Sequence, residues 1–443
     1  MEKKLTKDIL NLAAPIFLET LLIMLLGFGD ILVLGRYSDN AAIAVNTANQ
    51  PINIMNIVFT LMASASSVLI SQALGAKNRK RASEIAIVSI IFTLVLGIFF
   101  TLFFCFMGKE VLILIGLKKE LLEYGQVYTL IVGGFLFLQG IISACTAIVR
   151  THGRPNVSLK ITFLMVVLNL FLDYVLVYGI FIFPSLGVAG AAIATTISRF
   201  IGALILFIYV FKNFEKLSSF KIIKNFPKKV LKELMKIGIP SALESLSYNV
   251  VQIILTSLIL RYLSKEDIAA RTYVFQLATF VYVFCLSIAQ SNQILIGYSV
   301  GEKNYDMANK TCMLSMKLSL IITMIMSFMA ALFRYKLISI FTTDEKVILI
   351  GAGILIADIA VEFGRTFNLI FISGLRGASD VIFPVVMALI SMWGISLGLA
   401  IVSIYNGWGI IGIWLSVAFD ECFRGVCMLM RWKSKKWIKK KQI

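Results

Sequence analysis

The sequence predicts an all-α membrane protein of twelve transmembrane helices, arranged as two pseudo-symmetric lobes of six. Three observations carry this prediction. Of 443 residues, 59% are hydrophobic and only 15% charged, with a mean hydropathy of +0.90, a composition no soluble domain shows. Apolar runs of about 20 residues, the length that crosses a bilayer, follow one another almost without pause. A set of residues in the first half recurs, in register, in the second.

With breaks placed at glycines, prolines and charge clusters, the spans of the first half fall near 9–34, 41–73, 83–107, 123–149, 157–180 and 188–211. Those of the second half fall near 238–262, 268–298, 311–333, 347–373, 380–404 and 408–430. Lys3, Lys4 and Lys7 before the first run resemble the start of a signal peptide. The run to Leu34 is long, however, and has no convincing cleavage site, so it reads as an uncleaved first span. The domain plan is an amino-terminal lobe (1–211), a polar linker (212–236), a carboxy-terminal lobe (237–430) and a basic tail (431–443).

The net charge of +18 would point to nucleic acid only if the basic residues shared one folded soluble face. They sit instead between apolar runs, where they set topology and meet anionic lipid head groups. Membrane lipid is therefore an expected partner and nucleic acid is not. With the amino terminus in the cytoplasm, the termini and even-numbered loops hold 28 basic residues against 10 in the opposite loops. The expectation is a multi-pass protein of the cell membrane, acting as a monomer, with both termini and the 212–236 linker cytoplasmic.

The six cysteines lie in apolar stretches without Cys-x-x-Cys spacing, so neither a disulfide framework nor a zinc site is expected. The single histidine, His152, reads as a loop residue. No phosphate-binding Gly-x-x-x-x-Gly-Lys-[Ser/Thr] loop is present, so ATP is not the expected energy source. No cofactor is expected, and enzymatic chemistry is not suggested.

The internal repeat is specific. Pro15 and Glu19 recur as Pro240 and Glu244 at an offset of 225. Gly75-x-Lys77-Asn78 recurs as Gly301-x-Lys303-Asn304, Ala82 as Ala308 and Arg150 as Arg376, all at 226. Gly187-x-x-Gly190 reappears as Gly409-x-x-Gly412 after a shortened loop. An even number of spans per half gives both halves the same orientation, the plan of a parallel-repeat transporter whose lobes rock to expose a cleft alternately.

Carboxylates inside spans are costly and mark function by default. Asp30 and Asp173 lie at nearly the same depth near the outer ends of the first and fifth spans, and Asn169 stands one turn before Asp173. Two carboxylates and an amide carbonyl suit sodium, or a shared proton whose pKa is raised by burial and like charge. The bland alternative is a hydrogen-bonded pair that only orders the lobe. In the tenth span Asp358, Glu362 and Arg365 share one face, either a functional cluster or an internally neutralised one. Glu19 and Glu244 are candidates for gating or lobe packing. Asn46, Gln50 and Gln276, with their amide neighbours, are candidates for a cavity taking amphiphilic substrates.

These residues resemble the multidrug and toxic compound extrusion (MATE) family along nearly the whole chain. The similar segments are Pro15 with Asp30-Ile-Leu-Val-Leu-Gly35-Arg and Ala41-Ala-Ile-Ala44, Ser71 to Asn78, Arg150 to Pro155, Gly187 to Thr195, and Gly374-Leu-Arg-Gly377. The resemblance implies efflux of cationic or amphiphilic small molecules driven by sodium or protons. It places the amino-lobe cation site on Asp30, Asn169 and Asp173, with Thr195 or Thr196 as a weaker carry-over. Tyr248 and Arg365 stand where the NorM-like branch carries acids of the seventh and tenth helices. The resemblance is thus closer to the DinF-like branch, and a carboxy-lobe cation site of the NorM-like type is not expected. Two further readings stay open: a flippase for lipid-linked oligosaccharide of the same superfamily, suggested by Arg199, Lys317 and Arg365, and a non-transporting membrane scaffold.

Overall fold

The computed structural model describes residues 2–180, 184–215 and 226–439. Among these it is helical throughout, without strands. The helices are α1 (Glu2–Tyr37), α2 (Asp39–Gly75), α3 (Arg79–Ile115), α4 (Lys119–Tyr128), α5 (Phe137–Thr151), α6 (Pro155–Tyr178), α7 (Val188–Asn213) and α8 (Lys228–Tyr262). They continue as α9 (Lys265–Gly301), α10 (Tyr305–Leu332), α11 (Arg334–Ser339), α12 (Glu345–Gly377), α13 (Ile382–Ile390), α14 (Leu397–Tyr405), α15 (Gly409–Lys433) and α16 (Lys436–Lys439).

Among the described residues, ten spans are long and apolar enough to cross a membrane, with α13 and α14 counting as one through the π-helical segment Ser391–Ser396. An eleventh is broken: α4, its π-helical extension Thr129–Gly133 and α5 meet at a bend of 46°. The span expected near 123–149 is thus present with a bend, which falls at the adjacent Gly133 and Gly134. The twelfth is α15, in which Asp420, Glu421 and Arg424 interrupt any stretch long enough to span. Side chains such as Phe106, Leu114, Leu332 and Ile340 point outward, as they do where hydrocarbon is the solvent.

The described residues form two compact units, Leu18–Gly238 and Met1–Phe17 with Ile239–Ile443. These differ from the lobes at 1–211 and 237–430 because α1 and α8 each change unit beside a proline, Pro15 and Pro240. The start of α1 buries Ile9, Leu12, Ala13 and Ile16 along one stripe. Ile9 and Ala13 belong to a core with Ile288, Ile296, Phe371 and Trp432, and the Ser291 hydroxyl donates to the Ile9 carbonyl at 3.0 Å. The start of α8 likewise buries Val230, Leu234 and Ile237. Residues 228–236 of the expected linker are thus helix, since their apolar positions recur at helical spacing; residues 216–225 of that linker lie outside the described residues.

The repeat is visible in local geometry. Lys77 and Lys303 both take left-handed φ, 56° and 59°. Asn78 and Asn304 then cap α3 and α10, each side chain accepting from the backbone N–H three residues on at 3.0 Å.

Candidate functional site

In the unit Leu18–Gly238, α6 and α7 pack so closely that a Cβ on Gly190 would lie 2.7 Å from the Leu176 carbonyl. This approach, open only to glycine, sets Thr195 of α7 against Asn169 and Asp173 of α6. Asn169 is wholly buried, Asp173 nearly so, and Asp30 of α1 half-buried. The two carboxyl groups lie within hydrogen-bonding reach of each other.

The Asn169 amide lies between the two carboxyl groups: Nδ2 donates to Asp30 Oδ1 at 3.0 Å and Asp173 Oδ2 at 3.1 Å, and the amide oxygen accepts from the Thr195 backbone N–H at 3.1 Å. Asp173 Oδ1 is buried and has no hydrogen-bond partner among the described residues. Two neighbours not singled out from the sequence for this site border it. Tyr128 donates to Asn49 Oδ1 at 3.2 Å, and both Tyr128 and Arg199 lie within electrostatic reach of Asp30.

Glu19 stands apart from this cluster. It pairs with Arg150 at 2.9 Å and accepts from Ser158 at 2.7 Å and Thr162 at 3.3 Å. In the other unit Glu244 pairs with Arg376 at 2.8 Å. The glutamate of each half is thus paired with the repeat-related arginine of the same half, Arg150 or Arg376. Asn46, Gln50 and Gln276 are exposed on the faces of α2 and α9, which is compatible with a cavity lining.

In the unit holding α9 to α15, a Cβ on Gly364 would lie 2.5 Å from the Cys422 backbone nitrogen, so α12 and α15 touch closely. Glu362 pairs with Arg365 on α12, and Arg424 on α15 pairs with Asp420 at 2.8 Å and Glu421 at 2.9 Å. Asn368 donates to Glu421 at 2.8 Å, the Ser391 hydroxyl donates to Asp420, and Trp414 Nε1 donates to Asp358 Oδ1 at 3.0 Å. Asp420 and Glu421 were not singled out from the sequence. The signal was available, as two acids with an arginine one turn on inside an apolar stretch. No group of three or more histidine, cysteine or acidic side chains arranged to hold a metal ion occurs among the described residues.

The MatE family model matches residues 15–175 and 240–402, one copy in each half. The chain belongs to the MatE family. It is 38% identical over 436 residues to the uncharacterized transporter YisQ of Bacillus subtilis (strain 168), covering 98% of this chain and 96% of that one. It is 28% identical to the probable multidrug resistance protein NorM of Thermotoga maritima, covering 99% and 94%. In fold it matches a MOP superfamily transporter from Pyrococcus furiosus with a TM-score of 0.88 at 20% identity, covering 98% and 97%. It also matches a MATE protein in the bent conformation, again at 0.88, with 18% identity and coverage of 97% and 95%. These likenesses make the chain a multi-pass MATE transporter of twelve spans. They do not separate a DinF-like from a NorM-like branch.

Proposed function

We propose that this MATE protein is a cation-coupled antiporter of the cell membrane, exporting cationic or amphiphilic organic compounds by alternating access. Asp30, Asn169, Asp173 and Thr195 hold the driving ion. The observation that supports this is the Asn169 amide between two carboxyl groups. With a proton shared by Asp30 and Asp173, the amide donates to both. With sodium, the amide turned about its side-chain axis offers its oxygen beside theirs. Either ion relieves the repulsion of two neighbouring carboxylates, so the loaded site favours a packing of α1 on α6 that the ionised site disfavours.

The relatives named multidrug resistance proteins support small organic compounds as cargo. A flippase for lipid-linked oligosaccharide, suggested by Arg199, Lys317 and Arg365, would use free cationic groups for a pyrophosphate, whereas Arg365 is held by Glu362. A scaffold would leave the buried aspartate pair without use. The test is dye efflux from proteoliposomes with sodium and proton gradients imposed separately. Efflux under one gradient identifies the ion, and efflux under neither overturns the proposal.

A further inference from the structure

Beyond α15 the chain doubles back on itself. Lys435 takes a left-handed φ of 54°, a costly conformation for a residue with a Cβ, and the reversal brings Trp437 of α16 onto Trp432 of α15. The two indoles stack with centroids 4.4 Å and planes 12° apart, and Tyr305 of α10 meets Trp437 edge-on at 6.0 Å. Trp437 Nε1 donates to the Trp432 carbonyl at 3.0 Å, and Trp432 Nε1 donates to Asn309 Oδ1 at 3.0 Å. Both tryptophans are buried, in one core with Ala308, Cys312 and Met428. The docked tail thus forms a fixed aromatic wall in which each indole N–H has its partner.

Against this wall lies a cleft of ≈ 270 Å³. Its polar lining is Lys433, Lys435, Asn309 and Asp306, and Met313 and Ile438 add apolar surface. Lys433, Lys435 and Asp306 are exposed, and none of them makes an ion pair among the described residues. Asn309 gives its oxygen to Trp432, while its Nδ2 has no hydrogen-bond partner among the described residues. A tail that only covered the core would need the apolar wall alone. Lysines at this end also serve topology, but topology counts charges and does not require them to converge on one cleft.

We propose that this cleft binds the headgroup of an anionic phospholipid. The phosphate sits between Lys433 and Lys435, Asn309 Nδ2 donates to a phosphate oxygen, and Asp306 accepts from a headgroup hydroxyl. Two ammonium groups against one carboxylate give the lining a net positive charge, which favours a lipid of net negative charge over a neutral one. Phosphatidylglycerol has that charge and the hydroxyls for Asp306. The position fits too, because the cleft lies where α10 begins and α15 ends, at the edge of the spans. Tryptophan and tyrosine concentrate at that depth, and lysines beside a span meet anionic lipid there. Met313 and Ile438 suit the glycerol backbone and the first methylenes of the acyl chains. An occupied cleft ties the tail to the start of α10.

The test is photocrosslinking of the full chain in nanodiscs, using phospholipids that carry a diazirine near the headgroup, with labelled peptides mapped by mass spectrometry. Phosphatidylglycerol should label residues 305–313 and 432–438, and the net-neutral phosphatidylethanolamine and phosphatidylcholine should label them several-fold less. Lys433→Gln/Lys435→Gln should lower the phosphatidylglycerol labelling on the order of tenfold or more, and Lys433→Arg/Lys435→Arg should restore it. Both lysines are exposed and unpaired, so these variants should keep the parent's thermal unfolding midpoint. Lys232→Gln/Lys236→Gln, which alters exposed lysines of the other unit, should leave the labelling unchanged. Equal labelling by either neutral lipid, or labelling unaltered by Lys433→Gln/Lys435→Gln, overturns the proposal. Loss of labelling in millimolar glycerol phosphate would assign the cleft to a soluble phosphate compound, and overturns it as well.

Discussion

The two units share their mechanical parts but not their acids. Each holds a glutamate four residues after a helix-interior proline against a repeat-related arginine, Glu19–Arg150 and Glu244–Arg376, at 2.9 and 2.8 Å. Each has the same left-handed lysine and asparagine cap before the next long helix. Their polar interiors differ. Asp30 and Asp173 face each other across an amide, whereas Asp358, Glu362, Asp420 and Glu421 are threaded by two arginines. Duplication has kept what fixes helix against helix, while the sites inside each unit have diverged. A bare acid pair can change its charge by loading an ion; an arginine-threaded cluster changes less, because the fixed cations already stabilise most of its carboxylates.

The largest expected effect tests that contrast. Asp30→Asn and Asp173→Asn should each lower gradient-driven dye efflux on the order of tenfold or more at matched membrane levels. Glu244→Gln, which touches a clamp, should act more mildly. Near-normal efflux in both aspartate variants would move the coupling site to the α12 face.

The clamps come next. Arg150→Ala and Arg376→Ala should each destabilise the purified protein by about 3 kcal/mol, because a buried glutamate is left without its partner. Adding Glu19→Gln or Glu244→Gln, respectively, should recover much of the loss. Thermal unfolding curves that separate the two arginine variants widely would break the equivalence of the clamps.

Within the carboxy-terminal cluster the expected effects are smaller. Arg365→Ala should cost about 2 kcal/mol more than Asp358→Asn/Glu362→Gln, since it leaves four carboxylates against one arginine while the double variant reduces the repulsion. Equal unfolding midpoints for these proteins would show that Arg365 does not neutralise the cluster.

The smallest effect lies outside the spans. His152 stacks on Phe214 with ring centroids 4.1 Å apart. Burial holds its imidazole below the usual histidine pKa, with Arg154 acting in the same direction and the Ile148 carbonyl opposing both. The unfolded chain therefore binds the proton more readily. The contribution of His152 is fully present above a pH of about 6.5 and is lost as pH falls from there through the lower folded value. His152→Phe should flatten that part of the stability profile, and an unchanged slope would assign it to other groups.

By itself, the sequence determined the number of spans, the repeat and the amino-unit acids, because each follows from local cost. An apolar run must cross the bilayer, an acid within it needs a reason, and matched residues at a fixed offset require a duplicated plan. Residues 228–236 read as linker because lysines mask a helical apolar stripe at Val230, Leu234 and Ile237. Only the tertiary structure decided that Glu19 and Glu244 face Arg150 and Arg376, that α1 and α8 change unit beside their prolines, and that Asp420, Glu421 and Arg424 meet the tenth span. Those pairings join residues 53 to 132 positions apart. The meeting of α15 with the tenth span depends on a close helix approach at Gly364, a property of packed surfaces that periodicity along one helix does not encode.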